Sequence, residues 1–106
     1  MPVKIRRVLK KLKKELIRLY GDNVDRIILY GSRARGDARD DSDIDILVVT
    51  KEDFNYSEML RLSSKLVASL SLENDVVISR AFVTRSQYET LQIPFLMNVR
   101  REGVPV

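Results

Sequence analysis

Two short stretches of this chain gather residue types that do chemistry: Gly31-Ser32 and, ten residues further on, Asp43-Ile44-Asp45. Carboxylates two apart on a strand leave the same face, with Cα atoms about 6.5–7 Å apart given a rise of about 3.3 Å per residue. Asp43 and Asp45 therefore have the spacing to share a hard cation. Mg²⁺ suits them best, because it takes oxygen ligands, keeps waters, and is commonly held by one or two protein carboxylates plus substrate phosphates. Gly31-Ser32 falls where an apolar run ends and a turn begins. Backbone N–H groups at such a corner point outward together and cradle phosphate oxygens. Ser32 adds a hydroxyl donor, and Arg33, Arg35 and Arg39 are placed to offset polyphosphate charge. Taken singly, an Asp-x-Asp is commonly a solvated strand end and a Gly-Ser pair commonly a turn. Together, at the ends of two neighbouring strands, they point to one site for a metal-bound polyphosphate.

The rest of the composition narrows the chemistry further. The chain has 106 residues, no Cys and no His, so disulfides, ordinary zinc sites, Cys or Ser/His nucleophiles and imidazole acid–base catalysis are all excluded. Residues 1–106 make one small domain, at a size where a partner subunit, a second copy or another chain, would help bury surface. No apolar run approaches the length of a membrane span, and Met1-Pro2-Val3-Lys4 does not open a signal peptide, so a cytoplasmic protein is expected. The net charge of +4 is unevenly spread: residues 1–20 carry eight Lys or Arg against one Glu, and the remainder eleven against fourteen acids.

The elements that must position these residues follow from hydrophobic spacing. Ile5, Val8, Leu9, Leu12, Leu16, Leu19 and Tyr20 recur at helical intervals, and Gly21 is a natural stop, which predicts a helix over 3–20. Val24–Tyr30 reads as a first strand, 31–42 as a loop with room for one helical turn, and Asp43–Thr50 as a second strand. Asn55 with Glu58 predicts a capped helix running to about Leu72. Residues 75–83 read as a third strand, Thr84 with Gln87 caps a short helix, and Pro94–Arg101 forms a last one. The order α-β-β-α-β-α predicts an α/β (α+β) domain, a small mixed β-sheet with helices packed on one face.

The wording GSRARGDARDDSDIDILV, with its Gly-Ser, ten residues and Asp-x-Asp, resembles the minimal nucleotidyltransferases of the DNA polymerase beta superfamily. The resemblance implies the palm-like nucleotidyltransferase fold, with phosphates held at Gly31 and Ser32 and metal at Asp43 and Asp45. It also implies two Mg²⁺ ions and a third carboxylate on a neighbouring strand, for which Asp75 is the only acid available in the third strand. Asp75 has a second reading, as the cap of a helix-to-strand turn. The activity implied is Mg²⁺-dependent transfer of a nucleoside monophosphate, AMP from ATP, to a hydroxyl. The chain resembles the antitoxins among the small members, which modify a Tyr of a helical HEPN toxin with AMP, so a HEPN-type partner is implied in turn.

Two other functions compete. A catalytically weak module could neutralise a partner by contact alone. The basic face of residues 4–18 could grip nucleic acid, but it lacks interleaved aromatics, and a solvated face is the expectation there. Among the tyrosines, only Tyr30 adjoins the Gly31 corner. Ile93-Pro94-Phe95-Leu96-Met97 reads as core cover or as a partner surface.

Overall fold

The computed structural model describes residues 1–106. Helix α1 spans Val3–Tyr20 and buries Ile5, Val8, Leu9, Leu12 and Leu16 of the predicted stripe, while Leu19 at its end is exposed and Tyr20 half-buried. After a short 3₁₀ turn come strand β1, Val24–Tyr30, a single helical turn α2, Ser32–Arg35, and strand β2, Ile44–Thr50. Helix α3, Tyr56–Asn74, crosses back to strand β3, Ile78–Thr84; then follow α4, Arg85–Thr90, α5, Pro94–Glu102, and a two-residue strand β4, Val104–Pro105. The sheet order is β3-β2-β1-β4. β1 runs antiparallel to β2 and β4, whereas β2 and β3 are parallel, as a strand–helix–strand crossover requires.

The caps form largely as expected. Asn55 Oδ1 accepts from the Glu58 N–H at 2.9 Å, but the Glu58 carboxylate turns to Arg61, so only half of the capping box closes at α3. At α4 both halves close between Thr84 and Gln87.

One sheet face carries Ile27, Leu29, Ile44, Ile46, Val48, Ile78 and Phe82 and packs under α1 and α3. The opposite face is not bare as expected. Ile28, Leu47 and Val49 pack there against Leu96 and Val99 of α5. The mixed sheet with helices is as expected, then, while the last helix covers the second face. That follows from β2, whose residues from Ile46 to Thr50 are all buried and therefore need cover on both sides. Gly103 lets α5 dock this closely: a β-carbon there would come within 2.6 Å of Ile28 Cγ2 and 2.5 Å of the Val99 carbonyl oxygen. β4 went unforeseen because two residues carry no periodicity. Its Pro105, which lacks an N–H, suits a sheet edge.

The third strand begins later than predicted. Asp75 has φ 49° and ψ 54° and closes α3 in the left-handed conformation, so Asp75-Val76-Val77 lead into β3 without belonging to it.

Candidate active site

β1 delivers the chain to Gly31, and β2 runs back beside it with Tyr30 paired directly to Asp45. Register partners in an antiparallel pair point to the same face, so Tyr30 and Asp45 share the face that α5 partly covers. Gly31 sits at φ 74° and ψ −159°, a region essentially reserved for glycine. A β-carbon at Gly31 would lie 2.5 Å from Asp45 Oδ2. The corner and the carboxylate are thus in contact. The Gly31 carbonyl accepts from the N–H groups of Ala34 and Arg35, each at 3.1 Å, which starts α2 and leaves the earlier N–H groups of its first turn without intrahelical acceptors. Ser32 is half-buried beside them.

Asp43 is exposed at the entry to β2, and Asp45 is half-buried one residue inside it. Burial, reinforced by the negative charge of Asp43 and opposed by Arg35, holds the Asp45 carboxyl above the usual carboxylate range. Two acids in mutual repulsion, one of them desolvated, fit a divalent cation, which would relieve both penalties.

The arginines divide. Arg35 is exposed at the site's rim, paired with Asp37 and with Glu102 of α5, each at 3.2 Å, and close enough to bias Asp45. Arg39 is exposed, and its backbone N–H donates to Ser42 Oγ. Arg33 departs from its expected role at the phosphates. Only 8% exposed, it donates from Nη2 to the carbonyl oxygens of Asp40 (3.3 Å) and Ser42 (3.0 Å), and its buried Nε has no partner. It folds the 36–42 loop, because a short turn places residues 33 and 35 on different sides.

Asp75 is not brought to the pair. No group of three Asp, Glu, His or Cys side chains is close enough to hold a metal. Asp75 instead lines a cleft of about 660 Å³ with Asp40, Asp41 and Val77. The β3 residue in register with Asp45 is Ser79, which faces the site without a charge. The second reading of Asp75, as the cap of the turn, is the one the backbone shows.

Two aromatic rings complete the surroundings. Tyr30 is the strand partner of Asp45, and burial, with the Asp45 carboxylate next, raises the Tyr30 hydroxyl above its ordinary pKa. Phe95 of α5 packs on Tyr30 with ring centroids 5.3 Å apart and planes at 86°.

Residues 5–99 match the family of polymerase beta nucleotidyltransferases. The chain belongs to that family. Among relatives of this nucleotidyltransferase, a candidate protein adenylyltransferase of Methanocaldococcus jannaschii is 33% identical over 99 residues, covering 93% of this chain and 95% of its own. Protein adenylyltransferase MntA of Thermococcus cleftensis is 39% identical over 74 residues, covering 70% of this chain and 73% of its own. A crystal structure of a toxin-antitoxin with AMP-PNP aligns with a TM-score of 0.64 at 21% identity, covering 91% of this chain and 70% of that one, a likeness of fold. The nucleotidyltransferase therefore combines the family's fold with a Gly-Ser corner built against a strand carboxylate.

Proposed function

We propose that this nucleotidyltransferase moves AMP from Mg²⁺-bound ATP to a hydroxyl of a partner protein, a Tyr of a helical HEPN-type toxin, and so acts as an antitoxin. The observation that carries the proposal is the contact between Gly31 and Asp45, which leaves one place where a phosphate at the corner and a cation on the acids adjoin. The names of the relatives support adenylyl transfer, and that of the structural neighbour a toxin partner.

Gly31 and Ser32 would bind the triphosphate through backbone N–H groups and the hydroxyl. Asp43 and Asp45 would hold the cation, with nucleotide oxygens and water completing its ligands, and Arg35 would offset charge at the rim. With no third acid at hand, a second ion would depend on the nucleotide's own phosphates. When bound, the cation lowers the charge on the phosphates and stabilises the departing pyrophosphate. The acceptor oxygen bonds to the α-phosphorus and gives up its proton to solvent as the bond from that phosphorus to the bridging oxygen breaks and pyrophosphate leaves. No bond to this chain forms. What the chain contributes is orientation and electrostatics.

The test is incubation with labelled ATP and the co-encoded partner, with Mg²⁺ or with chelator. Transfer by the wild type and none by Asp43→Asn/Asp45→Asn is expected. A wild type that labels nothing in Mg²⁺ refutes the proposal. The site's lack of a third acid favours one competing reading, neutralisation by contact alone. That reading wins if the double variant still neutralises the partner.

A further inference from the structure

In α5, Leu96 and Val99 anchor the helix and are fully buried, whereas Phe95, like Met97, is left partly exposed, at 38%. Its ring is held at right angles against Tyr30, whose strand partner is Asp45. The fold thus keeps an aromatic surface partly open to solvent, packed on Tyr30, the strand partner of Asp45, at the sheet face that α5 covers. Exposing it forgoes burial that core packing would have gained, and the edge-on contact fixes its orientation without covering it. Aromatic faces presented this way stack on nucleobases, and they do so with little regard to base identity because every base has a π-face. The strand partners of Asp45 are Tyr30 and Ser79, with the apolar Leu47 next along the same face and the Arg35–Glu102 pair at the rim.

Building on the function proposed above, we infer that Phe95, braced by Tyr30, is the base platform of this site, so that the favoured substrates are purine nucleoside triphosphates selected by stacking area. The Gly31-Ser32 corner holds the phosphates, and the base reaches along the sheet face toward the first turn of α5.

Titration calorimetry with Mg²⁺-ATP and with Mg²⁺-tripolyphosphate, which lacks base and ribose, separates this inference from the reading beneath it. Phe95→Ala should weaken Mg²⁺-ATP about ten-fold, leave Mg²⁺-tripolyphosphate within two-fold as the control for an intact site, and cost Mg²⁺-CTP less than Mg²⁺-ATP. Phe95→Tyr should restore wild-type ATP affinity. Equal weakening of both probes assigns Phe95 a packing role and overturns the inference, as does unchanged ATP affinity. A wild type that binds tripolyphosphate as tightly as ATP overturns it alone. A wild type that binds neither removes the nucleotide site and the inference with it.

Discussion

Replacing Gly31 with Ala puts two separate costs on the molecule. The first is backbone strain: at φ 74° and ψ −159° a residue with a side chain is held in a glycine region, at about 1–3 kcal/mol. The second is steric. The new methyl would sit 2.5 Å from Asp45 Oδ2, and moving that carboxylate off its rotamer costs about 0.5–1.5 kcal/mol. Together they predict a loss of about 1.5–4.5 kcal/mol, or roughly 6–36 °C in melting temperature for a domain of this size. Transfer should fall by about 100-fold even where the variant is folded, because a reacting group displaced by about 1 Å costs that much. Gly36 is the control: its φ is 87°, with nothing within 4 Å of a β-carbon, so Gly36→Ala should show strain and leave transfer near wild type. In an Asp45→Ala background the steric cost disappears, so a double-mutant cycle should show coupling between positions 31 and 45. Tolerance of Gly31→Ala, within 0.5 kcal/mol by urea unfolding and two-fold in transfer, refutes the reasoning, as does an additive cycle.

Other outcomes follow from neighbouring residues. Because burial and Asp43 raise the Asp45 carboxyl, the folded state holds that proton more tightly than the unfolded chain. The cation-free protein should therefore lose stability as pH rises from the ordinary carboxylate range through the higher folded value. Asp45→Asn should flatten that slope and raise the melting temperature at neutral pH; an unchanged urea-unfolding profile contradicts this. Arg33→Ala should destabilise by about 1–3 kcal/mol, since it strips partners from the Asp40 and Ser42 carbonyls. Hydrogen exchange should then quicken across 36–42, whereas exchange unchanged in that loop would show that Arg33 does not hold it. Asp75→Asn should leave transfer within two-fold, since Asn adopts the left-handed cap as readily as Asp. A 100-fold loss would return Asp75 to the metal.

The proximity of the two motifs was legible because it needs only two rules. Apolar runs on either side of 31–42 must pair as neighbouring strands, and a period of two puts Asp43 and Asp45 opposite Ile44 and Ile46. The capped helices were legible for the same local reasons. Asp75 was legible only as one of two readings, metal ligand or turn cap, since the strand-like Val76-Val77-Ile78 after it does not say where the helix ends, and the helix in fact runs on through Asn74. Arg33 and Arg35 read alike in sequence. Only the turn they occupy sends one inward to loop carbonyls and the other to Asp37 and Glu102. Phe95 lay within a segment read as core cover or a partner surface. The signal that separates it is its position beside Leu96 and Val99, off the stripe that a helix starting at Pro94 must bury.

The measurement that tests the central claim most directly is calorimetric binding of ATP in Mg²⁺ and in chelator, compared across wild type, Asp43→Asn/Asp45→Asn and Gly31→Ala. If one site joins the corner to the acids, the wild type binds only with Mg²⁺ and both variants lose that binding while remaining folded. Binding that survives intact in the double variant, or in the wild type without a divalent cation, contradicts the account.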